Sequence, residues 1–516
     1  MTDNTYLLGI DFGTESVRAA IFDLAGRPVS FAATTYRTTH PHPGWAEQDP
    51  EEWWEALQAS CRKVIAASGI SPAAIKGISY DATTMTVVAM DKRGEALRPA
   101  IMWMDVRATE QAARAEKSDS VARLYNGRGT APATAEWYPF KAAWLRENER
   151  ETYDAAFRLV DAPDWVTYKL TGEWTTNINS AALRMYYNRD HGGWPVDFYE
   201  TIGCGDVFDK IPEKVVDLGT PVGELSVIAA QLLGLHPGTP VAQGPADAWA
   251  GQIGLGVVDP GVMALITGSS HVLTGQTDKP IHGKGFFGAY TDGVVKGQYT
   301  VEGGQVSTGS VLKWFKDNFA RDLIQAAEVT GLNVYDILNK QSKDLPPGSE
   351  GLIINEYFQG NRTPYTDSKA RGVIWGLSLH HGPAHIYRAI QESVCYGTAH
   401  NLRAMSAAGF EVKKIVAAGG ATKSRDWMQM HADVTGVPVT LTEVGDAVVL
   451  GSCMLAAVGS GQYHSIQDAA RNMVRETDRI EPRPEVHEEY QFYLDKYMET
   501  YPRLRDLSHE MVDHLA

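Results

Sequence analysis

The sequence predicts an α/β protein of two large domains, and three observations lead there. The chain has 516 residues, too many for one hydrophobic core. Its opening stretch, residues 7–20 (LLGIDFGTESVRAA), reads as a buried strand, a glycine turn and a returning strand. The theme returns at residues 262–270 (VMALITGSS), an apolar strand followed by glycine and hydroxyls. One glycine turn is a weak signal. A pair at corresponding places in two halves is stronger, and two such turns facing each other across a cleft would hold a polyphosphate from both sides.

Composition narrows the partners. With 44% apolar and 21% charged residues the chain has an ordinary globular make-up. Asp and Glu number 63 against 47 Lys and Arg, a net charge of −16. That argues against nucleic acid or an anionic membrane as a partner. It leaves room for a nucleotide, which needs only a local nest and a cation. The four cysteines, Cys61, Cys204, Cys395 and Cys453, lack metal-site spacing. Few cysteines in a long chain fit a reducing compartment, so a cytoplasmic protein is expected. The first residues lack the basic start and apolar run of a signal peptide. No stretch approaches the roughly 18–20 apolar residues of a membrane helix.

Each element has a local reason. In the opening hairpin Leu7, Leu8 and Ile10 form the buried strand and Asp11 lies at its end. Gly9 and Gly13 sit where a side chain would block close approach, and Thr14 and Ser16 bring hydroxyls into the turn. Such a turn presents N–H donors to phosphate oxygens, and a carboxylate beside it can hold Mg²⁺. A plain surface hairpin would use the same residues. Asp49 then caps a helix, with Pro50 at its first position and Glu52 three after the cap. Trp53, Leu57, Cys61 and Val64 continue at helical spacing, for packing on a sheet. Residues 75–80 are a strand whose end runs into DATTMT at 81–86. Strands follow at 87–90 and at 101–105 (IMWMD), the latter ending in a polar cluster with Arg107. Strand ends are where α/β proteins place ligand groups, so these two ends predict a substrate pocket. For Trp103 a core-filling role is the alternative. Residues 107–153 read as helical, with Trp144 and Leu145 on an apolar face. Residues 161–172 read as a capped helix ending at Gly172. A short strand at 238–244 leads to a glycine-edged helix with Asp247 in its first turn, where the helix dipole favours an ionised carboxylate.

The second half opens after a turn at 258–261. Beyond residues 262–270, Ser310 precedes a helix with Leu312, Trp314 and Phe315. Loops fall at 346–348 and 360–372, and a long helix at 386–404. Residues 415–424 are a strand running into Gly419-Gly420 and a helix. Residues 447–459 form an apolar, small-residue helix suited to close packing. Pro482 and Pro484 end this domain. Tyr490, Tyr493, Leu494, Tyr497 and Tyr501 fall on one helical face, expected to pack against the body, with homodimerisation as the alternative use.

Six of these pieces, in this order, carry a resemblance: GIDFGTESVRA, KAAWLREN from Lys141, GPADAWAGQIGLG, ITGSS, GNRTPYTDSKARGVIWGL and VAAGGATKSRDWMQMHADVTGVPV. Together they resemble the FGGY family of carbohydrate kinases, in the actin/Hsp70/hexokinase-like (ribonuclease H-like) ATPase fold. The match covers nearly the whole chain, and the ordered set is far more specific than any single piece. The chain departs from the family pattern in three places: EWYPF before Lys141, Gln391 in place of an apolar residue, and Ser269 in place of threonine. The resemblance implies an N-terminal domain at 1–256 with the substrate pocket and first phosphate loop. It implies a nucleotide-binding C-terminal domain at 257–480 and a helical tail at 481–516 packed on the body.

The resemblance also implies phosphoryl transfer from ATP, with Mg²⁺, to a hydroxyl of a small sugar, a reaction governed by positioning and charge stabilisation. Asp247 would be the base that orients and deprotonates the attacking hydroxyl, and Asp11 with Asp247 would hold the metal. Gly13, Thr14, Ser16 and Arg18 would surround the ATP phosphates, with Gly268 and Ser269 opposing them. Gly309, Lys313, Gly419, Gly420 and Lys423 would line the nucleotide channel. Thr83, Thr84, Trp103, Asp105 and Asp247 would meet the sugar, and closure of the domains would exclude water. Glycerol kinases carry an Arg-Glu pair where Thr83 and Thr84 stand, and the Gln-Met-His-Gly run of xylulokinases is absent. The run from Asp81 to Thr86 looks most like ribulokinases. A ketopentose such as ribulose is therefore the first expectation. Xylulose, a four- or five-carbon polyol (erythritol, ribitol) and an autoinducer-type carbohydrate are the alternatives. A non-catalytic nucleotide switch of the same superfold is an alternative of another class; it would need neither Asp247 nor the substrate stretch.

Overall fold

Two mixed sheets with the same wiring organise the chain in the computed structural model, which describes residues 5–125 and 133–515. The first contains β1 (Tyr6–Phe12), β2 (Ser16–Asp23), β3 (Pro28–Thr35), β4 (Ile75–Ala82), β5 (Pro221–Glu224) and β6 (Pro240–Ala242), ordered β5-β6-β4-β1-β2-β3. The second contains β7 (Val262–Thr267), β8 (His271–Thr277), β9 (Phe287–Thr291), β10 (Tyr299–Gln305), β11 (Lys414–Gly419), β12 (Val439–Thr442) and β13 (Glu476–Ile480), ordered β9-β10-β8-β7-β11-β12-β13. In each sheet the opening strand pairs antiparallel with the next and parallel with a later one: β1 with β2 and β4, β7 with β8 and β11. The pattern continues outward on both sides. The strand–glycine theme at 7–20 and 262–270 thus marks the same central hairpin in two copies. Both faces of β1 are covered, so its apolar residues run on without alternation.

The helices are α1 (Pro50–Ser68), α2 (Asp247–Gly254), α3 (Gly309–Phe319), α4 (Val334–Ser342), α5 (Pro383–Ala407), α6 (Arg425–Thr435), α7 (Ala447–Gly459) and α8 (Pro484–Leu515), with shorter ones between. Asp49 caps α1 through its side chain, which accepts from the Glu51 N–H. Although α7 comes late in the chain, it packs on the first sheet, against β1 and β4, and against α2. Its small residues make that possible. A Cβ on Gly451 would lie 1.9 Å from the Ala250 carbonyl oxygen, one on Gly254 1.8 Å from that of Ala447, and one on Gly9 2.6 Å from that of Val449.

Two sequence expectations are corrected. Of residues 101–105 only Ile101 is strand, paired in Ala100–Ile101. The Asp105 N–H turns back to the Met102 carbonyl at 3.0 Å and ends the strand. Residues 107–153 are not continuously helical. Helix Thr109–Arg114 gives way to 3₁₀ turns, residues 126–132 lie outside the described ones, and helices Tyr138–Asn148 and Arg150–Ala155 are parted at Glu149. Ser118 and Ser120 accept the N–H groups of Ser120 and Ala122, which competes with a helical ladder. Pro139 starts the next helix afresh.

On α8, Tyr490, Leu494, Tyr497 and Tyr501 are buried and Tyr493 is half-buried. The Tyr497 hydroxyl donates to Glu356 at 2.8 Å, and Glu356 also accepts from Gln305 Nε2 at 2.9 Å. Burial pushes Glu356 up to about 7. Among the described residues no helix is long and apolar enough to cross a membrane.

The α2–α7 crossing predicts that Gly451→Ala lowers the melting temperature by roughly 2–10 °C, read by thermal denaturation. For Glu356 the sign follows from its raised pKa. The unfolded chain ionises first, so its charge costs nothing below about pH 4.5 and progressively destabilises the fold up to about pH 7. Glu356→Gln should therefore gain melting temperature relative to wild type between about pH 5 and pH 8. A gap that stays constant with pH would refute this.

Candidate active site

Three carboxylates meet at the ends of β1 and β4 and the start of α2. Asp11 and Asp81 are direct neighbours in the parallel pairing of β1 with β4, and both are fully buried. Across the hairpin from Asp11 stands Arg18. Its guanidinium binds Asp11 and reaches Asp446 at 2.8 Å, in the turn before α7. Ser452 on α7 donates to Asp81 at 2.6 Å. One oxygen of each carboxyl, Oδ1 of Asp11 and of Asp81, is buried without a protein partner. Burial raises Asp11 despite Arg18, and burial together with the charge of Asp11 raises Asp81 well above the ordinary range. Two adjacent buried carboxyls beside one guanidinium are best served by sharing a proton.

Asp247 is half-buried, and its Oδ1 accepts the Ala248 N–H at 2.7 Å. Ala246, not Asp247, holds the helix cap position. Burial first, then the negative charge of Asp11, push Asp247 up to about 6. The neighbouring turn is closed by Gly13 N–H to the Ser16 carbonyl at 3.1 Å. Tyr36 donates to the Gly13 carbonyl and Gln48 to that of Thr14. Trp103 Nε1 donates to Thr14 Oγ1 at 3.1 Å, so the two predicted loops touch. Ser16 is half-buried at the first position of β2.

The predicted sugar-pocket residues divide. Thr83 and Thr86 pair through their hydroxyls at 3.0 Å. Thr84 donates to Asp161 at 2.8 Å. Asp105 is a correction: it is fully buried, and both oxygens are taken by Arg107 and the Ala46 N–H, so it offers no free acceptor. Lys141 is buried, with Nζ donating to the carbonyls of Met85, Met102 and Trp103 at 2.8, 2.6 and 3.2 Å. One ammonium thus fastens both loops.

In the second half the Gly268–Ser269 turn lies under the start of α3, with the Gly309 N–H reaching the Gly268 carbonyl at 3.2 Å. A Cβ on Gly309 would lie 2.4 Å from that oxygen. Gly419, at φ 96°, lies where a Cβ would come within 2.0 Å of the Thr267 carbonyl oxygen. A cavity of about 480 Å³ opens here, lined by Gly268, Gly309, Leu312, Gly420, Lys423 and Trp427, with further residues from α4 and α5. Gly419 lies outside this lining, Ser269 is exposed, and Lys313 is a correction. One residue past Leu312 on α3, Lys313 is turned away from the cavity and forms an ion pair with Asp317.

Family models for the FGGY family of carbohydrate kinases match twice, the N-terminal domain at residues 6–254 and the C-terminal domain at 263–460. The chain belongs to the FGGY family of carbohydrate kinases. It is an ATP-dependent sugar kinase of the two-domain actin/hexokinase-like ATPase fold. An FGGY carbohydrate kinase domain-containing protein of Xenopus laevis is 32% identical, over 96% of this chain and 95% of that one. A ribulokinase of Anoxybacillus flavithermus is 31% identical over 95% and 93%. Among solved structures, a xylulose kinase from Rhodospirillum rubrum superimposes with a TM-score of 0.87 at 27% identity, covering 98% of this chain and 100% of that one.

The structure of this FGGY kinase adds residues that sequence reading passed over. Arg184 binds Glu302 at 2.6 Å and the Tyr290 hydroxyl at 2.9 Å, joining the first half to the second sheet. Its guanidinium lies 5.2 Å from the Trp249 ring centre. Trp249 is two residues from Asp247, and its Nε1 is buried without a partner. No local signal pairs residues 118 apart. Elsewhere, Glu350, His380 and His385 bring nitrogen and oxygen atoms within 4.8 Å of one another. His385 Nδ1 accepts the Gly382 N–H at 3.1 Å, so its Nε2 carries the proton given to Glu350. That tautomer turns a proton, not a lone pair, toward a metal.

Infrared difference titration of the kinase should show a carboxyl deprotonating near pH 6 that is missing in Asp247→Asn. A carboxyl signal confined to the ordinary range near 4 would refute the burial-driven shift.

Proposed function

We propose that this kinase transfers the γ-phosphoryl group of ATP to a hydroxyl of a ketopentose such as ribulose, with Asp247 as the base. The observation that carries this reading is the state of Asp247. It is an accessible carboxylate held near 6 by burial and by Asp11, at the start of a helix beside two pocket loops. A group with that pKa is ionised at neutral pH, yet basic enough to take a proton late in the reaction. The Ala248 N–H fixes one of its oxygens and leaves the other for the sugar hydroxyl.

The remaining roles follow from where each side chain is held. The Gly13–Ser16 turn and the Gly268–Ser269 turn embrace the phosphates with backbone donors. Arg18, paired with both Asp11 and Asp446, offsets part of the burial cost of charge on Asp11. Thr83 and Trp103 contact the sugar, while Thr84, Asp105 and Lys141 hold the pocket loops in place. Gly309, Gly420 and Lys423 line the nucleoside side. Asp11 Oδ1, buried and unpartnered, together with Asp247 makes an all-oxygen donor set suited to Mg²⁺. When bound, that ion neutralises charge on the transferring phosphoryl group. Residues 1–256 hold the sugar and 257–480 the nucleotide in this reading. The ribulokinase-like run from Asp81 to Thr86 and the named ribulokinase relative support ribulose; the xylulose kinase likeness makes xylulose the alternative to test.

Release of ADP from MgATP should be measured across L- and D-ribulose, D- and L-xylulose, erythritol, ribitol and glycerol. One ketopentose is expected to give strong turnover. Asp247→Asn should lose about 10³-fold in kcat while ATP affinity changes less than about threefold. Turnover with a polyol alone would overturn the substrate class, and full activity of Asp247→Asn would overturn the base.

A further inference from the structure

Two amides in the wall of the nucleotide cavity are arranged as a reader of hydrogen-bonding groups. Asn339 on α4 and Gln391 on α5 both line that cavity. Gln391 Nε2 donates to Asn339 Oδ1 at 3.0 Å, and the Tyr387 hydroxyl donates to the same oxygen at 2.9 Å. The two bonds use both lone pairs of Oδ1. Gln391 is also held from behind, since its backbone carbonyl accepts from Trp427 Nε1 at 3.2 Å. What remains is Gln391 Oε1, an acceptor, and Asn339 Nδ2, a donor. Neither has a protein partner, and neither is sealed from the cavity.

Gln391 is 4% exposed, at a position where the FGGY pattern has an apolar residue. Its free oxygen and the free Asn339 amide face the cavity, where water or a ligand can meet them. Leu312, Tyr335 and Trp427 give the wall flat apolar and aromatic surface, as a planar ring requires, and Asn333, Asp336, Lys423 and Ser424 add polar groups around it. The volume, about 480 Å³, is in the range of small-molecule sites.

We propose that Gln391 and Asn339 select the base of the phosphoryl donor, Gln391 Oε1 accepting from the 6-amino group of adenine and Asn339 Nδ2 donating to the adjacent ring nitrogen. This rests on the reading of the cavity as the nucleotide site. Adenine offers an amino donor beside a ring acceptor, the complement of the pair. A 6-keto purine presents an oxygen to Gln391 Oε1 and a ring N–H to Asn339 Nδ2, acceptor facing acceptor and donor facing donor. Sites built to hydrogen-bond a ligand group reject the analogue that lacks it far more strongly than apolar pockets do.

The test is calorimetric binding of ATP and of purine riboside triphosphate, which lacks only the 6-amino group, to wild type, Gln391→Leu and Gln391→Glu. Wild type should bind ATP about tenfold more tightly than the deaminated analogue. In Gln391→Leu the two should come within about twofold of each other, and Gln391→Glu, which keeps an acceptor, should retain the preference. Leucine restores the family's apolar type, so the substitution is suited to the fold. An equal preference in wild type and Gln391→Leu, or none in wild type, would overturn the proposal. A wild-type protein that binds neither nucleotide would overturn the nucleotide-cavity reading with it. Sugar-dependent ADP release from the same preparations reports on the ketopentose reading separately.

Discussion

Placing Asp11 and Asp81 side by side at the buried end of a sheet is the constraint that the site is built around. Two carboxyls there repel each other, and neither can be hydrated. The chain answers with groups drawn from distant parts of the sequence: Arg18 from the neighbouring strand, Ser452 from α7, and Asp446 holding the far side of the guanidinium. Asp247 feels the same charge and is poised by it. A helix that arrives only after residue 446 is therefore needed to complete a cluster begun at residue 11.

That dependence explains why the backbone contacts are so close. Helix α7 brings Ser452 to Asp81 only because Gly451, Gly254 and Gly9 let main chains meet without side chains between them. Packing and electrostatics are here one requirement, since a wider crossing would carry Ser452 away from the carboxyl that it satisfies.

Much of this was legible in the sequence because its causes are local. Asp49 and Pro50 announce α1, the central hairpins carry their glycines, and the composition of 447–459 calls for close packing. The failures have local causes too. Lys313 was placed in the nucleotide channel by the family resemblance, whereas helical rotation beyond Leu312 turns it outward. Asp105 looked like a sugar ligand because it is polar at a strand end, but Arg107, two residues on, takes its oxygens. Asp81 paired with Ser452, Arg184 with Glu302 and Gln391 with Asn339 were out of reach for a different reason. Each pair is created by topology, across dozens to hundreds of residues, and only Gln391 among these residues stands out in the sequence by itself.

The return of α7 to the first sheet also bears on how such a protein can be divided. The two halves share a wiring pattern, which invites the picture of two modules joined end to end. Yet the first sheet, taken as residues 6–254, is missing one of its covering layers: Val449, Leu450, Cys453 and Met454 pack with Leu7, Phe22 and Ile253 in one core cluster. A gene cut at the midpoint would encode a first half with an open apolar face and a second half with an orphaned apolar helix. Shuffling between relatives is constrained likewise. A foreign first half must arrive with its own α7, or with one whose glycines fall in register, so the segments that co-inherit are not those that are adjacent in the chain.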